Sequence, residues 1–144
     1  MTYPGEGLGL PASGRGAVAT PLRRAGALVA DVALFALADL VLVAALPDIA
    51  GLLLLLAVVV ANVIVLPWRT GRTFGKTLFG LRAVRCVDGR ADLGSRGLPL
   101  PVAVGRSLQN FCSPLLLISG GFMLADPDRR SLWDKACATA VVRG

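Results

Sequence analysis

The sequence predicts an all-α integral membrane protein, namely a two-span transmembrane hairpin plus a third broken or re-entrant hydrophobic segment, an interfacial helix and short cytoplasmic strands. Three observations predict it. Of 144 residues, 55% are hydrophobic, and the mean hydropathy is +0.70, more apolar surface than a soluble core of this size can hide. Two apolar runs, each long enough to cross a bilayer, stand close together and are joined by a short turn. The 15 Lys and Arg residues, which leave a net charge of +6, gather beside the apolar runs rather than interleaving with aromatics, the pattern of a headgroup contact and not of a nucleic-acid face.

Residues 1–21 are rich in Gly and Pro and almost uncharged, which predicts a disordered N-terminal tail ahead of a transmembrane domain at 22–144. The first span runs from Ala25 to Leu46, about 22 residues, enough at ~1.5 Å per residue to cross a ~30 Å hydrocarbon core. Arg23 and Arg24 before it, with Val43, Ala44 and Ala45 near its end, raise a twin-arginine export signal as an alternative. The run is too long for one, carries Asp31 and Asp39, and is followed at once by a second apolar run. Pro47 and Asp48 predict a tight turn, and Ile49 to Leu66 the second span, ended by Pro67 and Trp68. The turn has no positive charge. Arg15, Arg23 and Arg24 flank one end of the hairpin and Arg69, Arg72 and Lys76 the other, which puts the N-terminus in the cytoplasm of a multi-pass protein of the cell membrane.

The stretch Gly71-Arg-Thr-Phe-Gly-Lys-Thr77 looks like a phosphate-cradling loop, but Gly71 and Gly75 enclose three residues where the loop needs four, and no buried strand precedes it. Phe74, Leu78 and Leu81 recur instead at helical spacing, with Arg72 and Lys76 on other faces: a short helix on the inner leaflet, with the two glycines allowing a tight turn. Arg69, Arg72, Lys76, Arg82 and Arg85 are the candidate lipid-headgroup contacts. Leu81 to Val87, ending at Asp88-Gly89, and Ala138 to Val142 read as two strands that pair in the cytoplasm.

Between the strands, Leu98 to Ala125 is a third apolar segment, containing Arg106, Gln109 and Asn110 and interrupted at Ser113-Pro114. A single crossing would leave Arg129, Arg130, Lys135 and Arg143 outside, against the positive-inside bias. Two half-length helices meeting near Pro114 return both ends to the cytoplasm, and this is the reading preferred over three full spans.

Chemistry is bounded by what is missing. There is no His, hence no imidazole base, relay or metal ligand. Cys86, Cys112 and Cys137 form no CxxC pair, so no zinc site or disulfide framework is expected. No cofactor, metal or catalytic residue is assigned, and a non-enzyme is expected.

The informative residues are charges where oil should be. A carboxylate at a helix centre costs ~2.5–3.5 kcal/mol on insertion scales, so Asp31 must meet a partner or water. Arg24 lies seven residues earlier on nearly the same face, and Asp39 eight later, making one polar stripe. Arg24 and Asp31 are ~10 Å apart along the axis, so Arg106 is the expected second cation for Asp31, with Asn62 as a hydrogen-bonding neighbour. Asp134 has a plain reading as the i,i+4 partner of Arg130.

The blocks Arg24-Ala-Gly-Ala-Leu-Val-Ala-Asp31, "GRTFGKTLFGLRAV" (71–84) with Asp88-Gly89, and Ser131-Leu-Trp-Asp134-Lys followed by "ATAVV" occur in the order found in the RDD membrane proteins, which this chain resembles from Leu22 onward. The resemblance implies functional roles for Arg24, Asp31 and Asp134, and transport of ions or small ligands as a family activity. Trp133 stands where the family often has His. Two functions follow: a scaffold or accessory subunit of a larger membrane complex held by intramembrane Arg/Asp contacts, or an oligomeric transporter with Asp31 as its coupling residue. The expected partners are the bilayer with its anionic headgroups, and either further copies or other membrane subunits.

Overall fold

A computed structural model describes residues 3–46, 49–111 and 113–144. The expected Pro47-Asp48 turn and Cys112 lie outside the described residues. Among the described residues the elements follow in the order α1 (Pro21–Ala45), α2 (Ile49–Val60), α3 (Leu66–Thr70), α4 (Phe74–Leu78), β1 (Leu81–Val87), β2 (Arg90–Ala91), α5 (Leu100–Phe111), α6 (Ser113–Ala125), α7 (Leu132–Ala136) and β3 (Thr139–Arg143). The fold is therefore mostly helical with a small antiparallel sheet, rather than all-α.

Two helical stretches, Pro21–Leu42 and Ile49–Thr70, are long and apolar enough to cross a membrane, and only 6% and 17% of their most apolar windows are buried inside the protein. Leu37, Leu40, Ile49 and Leu52 face outward. A soluble protein's core helices would be covered; these present their apolar faces to the surroundings, as a bilayer requires.

The second stretch does not stop at Pro67 as the sequence reading expects. Residues Ala61–Val65 widen into a π-helical stretch, with the Leu66 N–H donating to Ala61 O, and α3 continues from there. The register changes just ahead of Pro67, which has no N–H to give, and Pro67 sits at the start of α3 where the lost donor costs least. The helix ends at Gly71, whose φ of 70° belongs to the left-handed region.

Strands β1 and β3 pair antiparallel from Leu81↔Arg143 to Arg85↔Thr139, as the two β-prone runs predict. Asp88 (φ 50°) and Gly89 (φ 77°) turn β1 back into β2, with Val87 opposite Arg90, the positive-φ pair that a two-residue hairpin needs.

The N-terminal segment is not a tail. Glu6–Leu8 form a turn of 3-10 helix, Val18 bridges to Val142, and Ala19 N–H donates to Val141 O at 2.9 Å. Leu8, Leu10 and Val18 are buried against Val84, Ala140 and Val142. Composition predicts disorder because it averages over many glycines. Three apolar side chains at the right places are enough to cap a sheet that would otherwise face solvent.

The third apolar segment is helical over Leu100–Phe111 (α5) and Ser113–Ala125 (α6), and the expected interruption beside Cys112 lies outside the described residues. Gly105 O of α5 accepts from Trp133 of α7 at 2.8 Å, and Gly120 and Met123 of α6 line a cavity with Arg24 and Leu28 of α1.

Candidate functional site

Two polar nodes lie where α1 meets the sheet-side elements. The first is built on Asp31. Its Oδ1 accepts from Asn62 Nδ2 (2.9 Å) and from the Gly75 backbone N–H (2.8 Å), and its Oδ2 from the Thr73 hydroxyl (2.6 Å). Asn62 in turn accepts the Phe74 N–H through Oδ1 at 2.7 Å. Each part has a local cause. The π-helical stretch turns Asn62 inward, where it is buried, as such stretches often do at special side chains. Thr73 is the N-cap of α4, accepting the Lys76 N–H, so its hydroxyl hydrogen is free to donate to the carboxylate. Gly75 lets α4 lie on α1: a Cβ there would stand 1.9 Å from Ala27 O.

The second node is built on Asp134, 1% exposed. Arg24 reaches Oδ2 and Arg106 reaches Oδ1, each at 2.6 Å. Arg24 also donates to Val141 O at 3.3 Å, and Arg106 donates to the Thr139 hydroxyl. Ser131 and Asp134 form a capping box at the start of α7: the Ser131 Oγ accepts the Asp134 N–H at 3.0 Å, and Asp134 Oδ2 accepts the Ser131 N–H at 3.2 Å. Burial pushes the Asp134 carboxyl up, but the charges of Arg106 and then Arg24 outweigh it and hold the group well below the usual carboxylate range. This one residue joins α1, α5 and α7 through its carboxylate, and β3 through its backbone oxygen, which accepts from the Thr139 hydroxyl at 3.3 Å.

The sequence reading is corrected in its pairings. Arg24 does not pair with Asp31, nor does Arg106 supply the second cation there; both go to Asp134. Axial distance is the reason: α4 inserts its N-terminus beside Asp31 and fills the space, and hydrogen bonds from Asn62, Thr73 and Gly75 do the work assigned to a cation. Asn62 is where the reading puts it. Asp39 does not continue the stripe: it is exposed and meets no polar partner among the described residues. Arg130 is not the ion partner of Asp134, since its guanidinium donates to the backbone oxygens of Thr139 (3.1 Å) and Asp134 (3.3 Å). Trp133 donates to Gly105 O at 2.8 Å, a tie between α7 and α5.

The five expected headgroup cations divide. Arg69 lies over the Trp68 ring at 5.6 Å and Arg85 is exposed. Arg82 instead donates to Leu93 O (2.6 Å) and Ser95 O (3.5 Å), holding the loop after β2. Arg72 is half-buried near Gly144, and Lys76 lines a cavity between the nodes. Burial, then the charge of Arg106, lower the Lys76 pKa to about 8, with Asp31 and Asp134 opposing.

Thr73, Ser131 and Thr139 are the site residues that sequence reasoning missed. Two had a signal. Ser131-x-x-Asp134 has the spacing of a capping box ahead of a helix, and Thr73 precedes a helical run as an N-cap does. Thr139 had none, because its part depends on Arg106 arriving from another element.

No functionally curated protein and no solved structure matches this chain. The profile of the RDD family matches residues 18–138, which covers both nodes from Arg24 to Asp134, and the chain therefore belongs to the RDD family of membrane proteins.

Proposed function

We propose that the protein is a multi-pass scaffold or accessory subunit of the cell membrane, with its N-terminus, sheet and α7 in the cytoplasm, and with α5 and α6 dipping into the inner leaflet as a re-entrant pair. One observation carries this reading: both oxygens of Asp31 and both oxygens of Asp134 are taken up by donors of the same chain. Carboxylates so engaged fix one helix arrangement, the best-attested use of buried charge. What is left outward is the apolar surface of α1 and α2, available to lipid or to other subunits, with Arg69, Arg72 and Arg85 as inside anchors. No enzymatic chemistry is assigned.

A second reading, oligomeric transport of an ion or small ligand with Asp31 as coupling residue, is favoured by one feature: Asp31 lines a cavity of about 250 Å³. The two readings separate in proteoliposomes made from the purified chain. The scaffold reading expects no Na⁺, K⁺ or H⁺ flux above empty vesicles, together with cross-links from cysteines placed at Leu37 or Leu52 to a neighbouring subunit in native membranes. Flux that Asp31→Asn abolishes in a folded variant would establish transport instead.

A further inference from the structure

The cavity between the two nodes holds more positive charge than its walls can answer. Arg24, Lys76 and Arg106 line it, and so do Asp31 and Asp134, so the lining carries three positive groups against two negative ones. Both carboxylates are already engaged: Asp134 by the two arginines, Asp31 by Asn62, Thr73 and Gly75. The Lys76 ammonium makes no hydrogen bond or ion pair among the described residues, though it is only half-exposed at most. The unmet Lys76 donor and one unanswered positive charge thus belong to the same 250 Å³ space, the volume of several waters and below that of a drug-sized site.

We propose that this cavity binds one small phosphate-class oxyanion, held by the Lys76 ammonium in the positive field of Arg24 and Arg106. The chemistry follows from the donors. An ammonium offers three N–H donors, which an acceptor with several oxygens takes up together, and a lining of net charge +1 is matched by a monoanion such as a phosphodiester or singly charged phosphate. The surrounding dipoles are already spent on the two carboxylates, so neutral ligands have little to bind. A phosphoryl group arriving from the bilayer and one arriving from solution meet the same donors. The inference is independent of the scaffold reading, since it concerns occupancy of the cavity and not what the outer faces hold.

The groups facing Lys76 are Asp31 and Arg24 from α1, Arg106 from α5 and Asp134 from α7. With its pKa lowered to about 8, Lys76 loses its charge within an accessible range, so binding should weaken as pH rises from 7 to 10. Lys76→Arg keeps the charge throughout and should remove that dependence.

The test uses the full chain purified in a neutral detergent, titrated calorimetrically with inorganic phosphate at pH 7 and, for the pH series, with dimethyl phosphate, whose single charge does not change. In parallel, nanodiscs of phosphatidylglycerol or of phosphatidylcholine alone are used to count retained lipids by native mass spectrometry. Phosphate binding that Lys76→Gln weakens at least tenfold, with Lys76→Arg within threefold of wild type, supports a soluble anion. No phosphate binding, but one retained phosphatidylglycerol that Lys76→Gln loses, supports a lipid headgroup. Wild-type protein that binds neither overturns the proposal whether or not the variants fold, as does a folded Lys76→Gln that binds as tightly as wild type, or a wild-type affinity flat between pH 7 and 10.

Discussion

Asp134 carries a guanidinium on each carboxylate oxygen and caps its own helix with the same atoms. Removing its charge leaves two buried cations without a counter-charge, the costly way to break such a cluster. Asp134→Asn is expected to lose about 3–5 kcal/mol of stability, measured by denaturant unfolding in micelles. The folded-state pKa lies below the ordinary unfolded value of about 3.9. The contribution is therefore complete above about pH 4 and is lost as pH falls through the lower, folded value. Asp126, whose pKa is also lowered, with the Lys135 side chain and the Arg130 backbone N–H overcoming its burial, acts in the same acid window. The difference between wild type and Asp134→Asn isolates Asp134: it should shrink below pH 4 and be flat above it. An equal loss at pH 2.5 and pH 7 would show that the ion cluster is not what the side chain supplies.

At the scale of elements, the short helix α4 decides where the first node forms. Gly75 brings it onto α1 so closely that a Cβ would stand 1.9 Å from Ala27 O and 2.9 Å from the Asp31 carboxyl carbon. Gly75→Ala must move α4 outward and break the Gly75 N–H to Asp31 bond, for a loss of about 3 kcal/mol, at the upper end for overpacking. Gly120 in α6 is the control, since nothing lies within 4 Å of its Cβ position. Gly120→Ala should be neutral or stabilise by up to about 1 kcal/mol. Equal effects of the two substitutions would mean that helix propensity and not close approach governs Gly75. The motif that resembled a phosphate loop is thus a helix-packing device: Gly71 ends one helix, Thr73 caps the next, and Gly75 docks it.

At the scale of the whole molecule, the N-terminal segment closes the sheet that the nodes hang from. Leu10 is 1% exposed, and Arg143 N–H donates to Ala17 O at 2.8 Å. Leu10→Ala should therefore cost about 2–5 kcal/mol and should open residues 3–20 to protease in intact micelles. A loss under 0.5 kcal/mol with unchanged digestion would return the segment to the status of a loose tail. The same scale explains the two-sided design. Hydrophobic burial holds the sheet end, through Leu8, Leu10, Val84 and Val142, while polar contacts hold the helices, because apolar side chains gain little from one another when lipid is the alternative.

The sequence alone determined that there are two helices of span length, that 81–87 and 138–142 are partner strands, and that Asp31 needs a neighbour such as Asn62. These properties are written in short windows: run length, alternation, and a charge that oil will not solvate. Which cation meets which carboxylate was decided only in three dimensions. Arg24 and Asp134 are 110 positions apart, and no spacing rule connects them. Their meeting requires β3 to lie beside β1, the N-terminal segment to seat on both, and α5 to deliver Arg106 from the other side. Local pattern fixes what each residue must avoid; only the packed chain fixes what it finds.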